Sequence, residues 1–146
     1  MYSATNSTPE PVFVTQEKKF LIVPIFFRKQ IEKYIESTLR SGMGFIFGED
    51  RENFSIIKKV WTVKEQRSSA YSDLLKQAKD IAAKSGMKLL GLFYSGDQTA
   101  TYSADVFSQD QLTSVELVIE NGTTKQWIPH PRPQYAGTIV EQKIII

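Results

Sequence analysis

Apolar residues recur at helical spacing in two segments of the chain. In residues 27–39 they fall at positions 27, 31, 34, 35 and 39, which predicts an amphipathic helix that Gly42 is placed to end. In the second segment the apolar positions are Leu74, Leu75, Ala78, Ile81 and Ala82. Here Ser72 is the predicted N-cap and Gly86 the predicted end of the helix.

Short apolar runs bounded by turn residues predict a sheet around these helices. Residues 44–48 and 54–63 flank a charged turn and predict a hairpin, while residues 88–94 are too apolar to have a wet face and predict a central strand. Asn121-Gly122 predicts a tight hairpin turn with positive φ. The other predicted strands cover residues 20–23, 115–120, 124–128 and 137–146, and a short helix is predicted over residues 108–114. The expected fold is a single α/β (α+β) domain with a mixed sheet flanked by two main helices.

Length and composition agree with one soluble globular domain. Residues 1–16 are polar and contain proline, so we expect a loose N-terminal tail, with the domain spanning residues 17–146. The longest apolar run, residues 20–27, is interrupted by Pro24 and is too short to cross a membrane. The N-terminus lacks the pattern of a signal peptide. We therefore expect a cytoplasmic protein with no membrane contact.

Net charge argues against a nucleic-acid-binding surface. The chain has a formal charge of +2 and its lysines and arginines are scattered. No stripe of basic and aromatic residues marks a nucleic-acid footprint. Nucleic acid is accordingly not an expected partner.

The residue types that carry most enzyme chemistry are scarce. The chain has no cysteine and one histidine, which excludes a cysteine nucleophile and the usual His- and Cys-rich zinc sites. A serine triad would need His130, which lies between Pro129 and Pro131 and is predicted to be an exposed loop residue. This proline-rich segment suits either a polyproline-II ligand or a stiff connection between strands.

Several other residues could take part in metal binding, catalysis or partner binding, but each also has an ordinary structural interpretation. Asp97, Asp105 and Asp110 could bind a hard cation such as Ca²⁺, but their spacing does not match an EF-hand, and Asp110 or Ser108 could simply begin a helix. Ser95, at the end of a buried strand, has no base nearby in sequence. Three aromatic residues in or near predicted loops could form a binding patch or pack in the core: Tyr102, Phe107 and Trp127.

The order of the predicted elements, with the sequences at three of their joints, resembles the JAMM/MPN metalloprotease domain, especially its bacterial JAB-like branch. The resemblance covers roughly residues 20–146. It is carried by Gly44-Phe45-Ile46-Phe47-Gly48, by Ala82-Ala83-Lys84-Ser85-Gly86-Met87-Lys88, and by Leu90-Gly91-Leu92-Phe93-Tyr94-Ser95, which is similar to that family's Gly-Ile-Tyr-His-Ser-His-Pro. No one of these is specific alone; their order and spacing carry the likeness.

The resemblance implies a zinc hydrolase fold without its metal ligands. Active members cut isopeptide or peptide bonds, typically at the C-terminus of ubiquitin or a ubiquitin-like protein. They hold zinc with two histidines and an aspartate, and a glutamate deprotonates the bound water. The positions of the histidine motif here are Tyr94, Ser95, Gly96 and Asp97, and the aspartate falls on Phe107. The base would fall at residues 40–42, where no residue is acidic. A phenol binds metal poorly at neutral pH and glycine has no side chain. No catalytic residue, metal or cofactor is therefore expected.

Three functions remain open from the sequence. The first is a catalytically inactive JAMM/MPN-like domain that binds a protein: a ubiquitin-like protein, another MPN-like domain, or a second copy of itself in a homodimer. Its expected binding loop runs from Gly96 to Phe107 and includes Asp97, Tyr102 and Asp105, with Asp110 just beyond. The second is an enzyme, either a divergent metal-dependent isopeptidase or peptidase with a non-standard, carboxylate-based site or an enzyme of unrelated chemistry. The third is an unrelated structural or nucleic-acid-binding domain, whose affinity would fall steeply with salt.

Overall fold

The computed structural model describes residues 18–38, 42–64, 71–95, 113–130, 132–135 and 138–146. Eight strands and two helices form within these ranges. They follow one another as β1 (Lys18–Ile22), α1 (Ile25–Ser37), β2 (Gly42–Asp50), β3 (Phe54–Val63), α2 (Tyr71–Ser85), β4 (Lys88–Ser95), β5 (Thr113–Glu120), β6 (Thr123–His130), β7 (Arg132–Tyr135) and β8 (Thr138–Ile145).

The strands form one mixed sheet in the order β6-β5-β4-β2-β3-β1-β8-β7. Strand β1 is parallel to both β3 and β8, and β4 is parallel to β5, while the other pairs are antiparallel. Strand β6 also contacts β8, so the sheet curls towards closure. A single α+β domain with a mixed sheet and two helices is thereby confirmed.

Helix α1 packs on the concave face of this curled sheet. Its side chains Ile31 and Ile35 are buried against strand residues from β1 to β5. The buried strand residues of this cluster are Leu21, Ile46, Ile57, Leu90, Phe93, Val115 and Leu117. Spacing of four residues places both isoleucines on one side of the helix, as the predicted amphipathic pattern requires.

Helix α2 packs on the opposite face. It contributes Leu74, Leu75 and Ala78 to a second buried cluster. The strand residues of that cluster are Met43, Phe45, Phe47, Val63, Leu89, Leu92 and Tyr94. Strand β4 supplies buried residues to both clusters, and this confirms the prediction of a central strand without a wet face.

The predicted turn chemistry is confirmed at two positions. Asn121 and Gly122 have φ of 54° and 76°, as a tight turn between β5 and β6 requires. Gly86 has φ of 70° directly after α2 ends at Ser85, where a left-handed residue commonly ends a helix.

Several predicted boundaries are wrong. Helix α1 begins at Ile25, two residues before the predicted start. The apolar pattern missed this first turn because Ile25 and Phe26 are exposed and do not belong to the buried stripe. It ends at Ser37, so Gly42 does not stop a helix but begins β2. Ser72 is not an N-cap, since α2 already begins at Tyr71.

Two further predictions for the second half of the chain need correction. The helix predicted from Ser108 is wrong at its end, because Thr113 and Ser114 belong to β5 and pair with Gly91 and Leu92 of β4; residues 108–112 lie outside the described ranges. His130 is the last residue of β6 rather than a loop residue, and a further strand follows it directly. The predicted N-terminal tail also lies outside the described ranges.

We expect Gly91→Ala to destabilise the fold by about 3 kcal/mol or more, because β4 and β5 approach closely at this residue. A Cβ atom on Gly91 would lie 2.0 Å from the carbonyl oxygen of Thr113. Gly86→Ala is the matched control. A Cβ there meets nothing within 4 Å, so its cost should be only the positive φ, about 1–2 kcal/mol. Urea unfolding would measure both, and equal losses would contradict the close approach.

Candidate functional site

The predicted vestigial metal site begins at the end of β4. Tyr94 and Ser95 are the last two residues of this strand. On one side they pair with Met43 and Gly42 of β2, and on the other side Tyr94 pairs with Glu116 of β5. The two positions are therefore held between two neighbouring strands, at the edge of the sheet where the chain leaves β4.

Tyr94 is a core residue. Its side chain is 0% exposed and belongs to the cluster under α2, together with Met43, Val63 and Leu74. Ser95 is buried as well. A hydrolytic zinc needs a coordination position open to water. Among the described residues Tyr94 packs with apolar side chains and is closed to solvent.

The remaining predicted site residues lie outside the described ranges. These are Gly96, Asp97, Tyr102, Asp105, Phe107 and Asp110. Within the ranges that are described, no group of three or more His, Cys, Asp or Glu residues could hold a metal ion.

A hydroxyl group that the sequence does not single out joins α1 to the start of β2. The Tyr34 hydroxyl lies 3.0 Å from the carbonyl oxygen of Met43, contacts the carbonyl oxygen of Val63, and accepts from the Met43 backbone N–H at 3.3 Å. Met43 is also the residue opposite Tyr94. The backbone of the strand that pairs with Tyr94 is thus attached to the helix by the hydroxyl of a half-buried tyrosine.

Two carboxylates of α1 attach the helix to β6. The Trp127 Nε1–H donates to Glu32 Oε2 at 2.8 Å, and Arg28 Nε donates to the same oxygen at 3.3 Å. The Thr124 backbone N–H donates to Glu36 Oε2 at 2.8 Å and lowers the pKa of Glu36 below its usual range. Trp127 is half-buried on β6 and not part of an exposed loop patch, so that interpretation is wrong for this residue.

Exposed apolar side chains lie at the start of α1 and at the end of β8. Those of Ile25, Phe26, Ile145 and Ile146 are 56%, 70%, 47% and 48% exposed. The Val23 backbone N–H donates to the carbonyl oxygen of Ile145 at 2.9 Å, which brings the end of β8 to the start of α1. We call these four residues the apolar corner. In the described part of the chain they are all of the large hydrophobic side chains that are exposed.

A second surface feature is an open groove between β3 and the last turns of α2. It has a volume of about 560 Å³ and is lined by Lys59, Val60, Trp61, Ile81, Lys84 and Ser85. The indole of Trp61 stacks on Phe45, with ring centroids 5.5 Å apart and an interplanar angle of 18°. No sequence motif predicts either the apolar corner or the groove. The apolar corner could have been suspected only from Ile25 and Phe26 lying just outside the helical stripe.

None of the helices in the described ranges is both long enough and apolar enough to cross a membrane.

Comparison with known proteins shows the fold. No family model and no curated protein matches the chain. The solution structure of protein DSY2949 from Desulfitobacterium hafniense is similar with a TM-score of 0.60 at 14% identity, over 86% of this chain and 91% of that chain. The solution structure of a protein from Salinibacter ruber is similar with a TM-score of 0.60 at 12% identity, over 84% and 89% of the two chains. At these identities the likeness extends to the fold alone.

We expect Glu36→Gln to lower the free energy of unfolding at pH 7 by about 1 kcal/mol, because it weakens a charge-assisted hydrogen bond to β6. A carboxylate whose pKa is lowered in the folded state stabilises the fold above its unfolded pKa of about 4.5, and this stabilisation is lost as the pH falls through the folded value. The difference between wild type and variant should therefore shrink at pH 3. Urea unfolding at both pH values measures it.

Glu52→Gln provides the control, since Glu52 is exposed in the turn between β2 and β3. It should unfold like the wild type at both pH values. A Glu36→Gln variant with the same stability as this control at pH 7 would contradict the attachment of β6 through Glu36.

Proposed function

We propose that this chain is a catalytically inactive JAMM/MPN-like domain, located in the cytoplasm, that acts by binding another protein. The apolar corner is the observation that carries the binding role. Monomeric proteins rarely leave several large apolar side chains exposed side by side, and such patches commonly mark protein interfaces. Each square ångström of apolar surface removed from water contributes about 25 cal/mol.

Phe26 is the expected anchor of this interface. Its ring is 70% exposed and makes an edge-on contact with Phe27, with ring centroids 5.2 Å apart. Aromatic anchors of this kind contribute most of the affinity of many interfaces. Exposed cations lie beside the corner at Lys29 and Lys143, which suits a partner with an apolar centre and an acidic rim.

The lack of catalysis is supported by the position of Tyr94 in the core under α2. The family assignment is supported by the order of the elements, with a helix, a hairpin, a second helix and a buried strand whose end carries the altered motif. On this proposal the partner is a ubiquitin-like protein, another MPN-like domain or a second copy of the chain. The alternative of a divergent metal-dependent isopeptidase depends on Asp97, Asp105 and Asp110, which lie outside the described ranges, and stays a prediction.

We expect Phe26→Ser to weaken partner binding by about tenfold or more, because it removes the anchor of the interface. Self-association is measured by sedimentation, and binding of ubiquitin or of an MPN-like domain by calorimetry. Lys79→Ser, an exposed position on α2, is the control and should bind like the wild type. The melting temperature of Phe26→Ser should stay close to that of the wild type, since the ring is mostly exposed.

Two results would contradict the proposal. One is a wild-type chain that stays monomeric and binds neither of these partners. The other is a Phe26→Ser variant that binds as tightly as the wild type.

A further inference from the structure

Strand β3 is longer than the strand that covers its outer side. It has ten residues, and β1 pairs only with Phe54, Ser55 and Ile56. Among the described residues, no strand lies beside the rest of β3 on that side. Residues 59–62 pair in regular register with β2, and Val63 after them contacts the Tyr34 hydroxyl through its carbonyl oxygen. We call residues 59–62 the β3 edge. An edge strand leaves backbone donors and acceptors open to a further strand.

The groove borders this edge. Lys59, Val60 and Trp61 belong to both, and α2 forms the opposite wall with Ile81 and Lys84. Lys59 and Trp61 are two residues apart on a strand, so their side chains lie on the same face, towards α2. The stacking of Trp61 on Phe45 holds the indole in place. The groove therefore offers a fixed aromatic surface directly beside open backbone groups.

Positive charge dominates around the groove. Lys59 is exposed and makes no ion pair with another described residue. Lys84 pairs with Asp80 at 3.0 Å, but its side chain is 78% exposed, and such surface pairs are weak. Glu49, on the neighbouring strand β2, does not line the groove and is paired with Lys58 and Arg51, which lower its pKa to about 2. An anionic ligand in the groove would therefore compete with few protein carboxylates for Lys59 and Lys84.

We propose that the β3 edge and the adjoining groove bind an extended acidic segment of a partner protein as an added strand. Backbone hydrogen bonds to the edge provide part of the affinity, and the alternate side chains of the segment determine specificity. Side chains directed towards α2 place carboxylates near Lys59 and Lys84 and an apolar group on Trp61. This inference takes its class of partner from the proposed function, but the residues that line the groove differ from those of the apolar corner.

The test uses a fluorescein-labelled ten-residue peptide built on the repeat Glu-Thr-Val-Thr, in which glutamate and valine alternate along one face of the extended strand. Binding is followed by anisotropy. We expect saturable binding that weakens about tenfold in the double variant Lys59→Glu/Lys84→Glu and also weakens as salt is raised. The double variant Lys33→Glu/Lys76→Glu changes the net charge equally at exposed positions outside the groove and should bind like the wild type. The same peptide with alternate backbone nitrogens methylated should not bind, because it cannot form the strand bonds.

Other outcomes would overturn the inference. Absence of saturable binding rejects the site, and equal weakening in both double variants shows only general attraction between opposite charges. Undiminished binding of the methylated peptide shows that no strand is added. Phe26→Ser should bind the acidic peptide like the wild type. Failure of the peptide test therefore leaves the test of the apolar corner unaffected, and failure at the corner leaves the peptide test unaffected.

Discussion

The burial of β4 on both faces is the constraint on which the rest of the structure depends. One face of the strand packs under α2 and the other under α1, so every side chain from Leu89 to Ser95 is removed from water. The backbone at Gly91 approaches β5 so closely that a side chain does not fit. This packing determines which positions remain for function. The end of β4 belongs to the core, and the exposed groups that remain lie elsewhere.

Local signals in the sequence predict the elements whose structure is determined locally. The Asn121-Gly122 turn, the helix end at Gly86 and the central strand are predicted correctly because turn geometry and continuous apolar runs act over a few residues. The start of α1 is missed because Ile25 and Phe26 are apolar but exposed. Contacts between distant residues could not be foreseen. The bond between Trp127 and Glu32 joins residues 95 positions apart, and the parallel pairing of β1 with β8 joins the two ends of the described chain.

The candidate site was predictable only in part, because it too depends on contacts between residues that are distant in the sequence. That Tyr94 stands where the resembling family has a ligand stays a prediction, and a strand that is apolar throughout does not reveal which side chain faces which helix. The apolar corner and the groove arise where elements end or differ in length: β8 ends beside the start of α1, and β3 continues beyond β1. These differences in length and end point between neighbouring elements arise only in the folded chain, so the sequence does not reveal them. The two surfaces that we propose for binding lie at such incomplete edges, whereas Tyr94 lies in the core.

The measurement that tests the central claim most directly is the zinc content of the purified protein, together with the melting temperature of chelator-treated protein with and without excess Zn²⁺. A site occupied at 100 times its dissociation constant adds about 2.7 kcal/mol. For a chain of this size that corresponds to a shift of about 5–10 °C. We predict no bound zinc and no shift. Stoichiometric zinc with a rise of this size would contradict the account, because the chain would then hold a metal despite the burial of Tyr94 in its core.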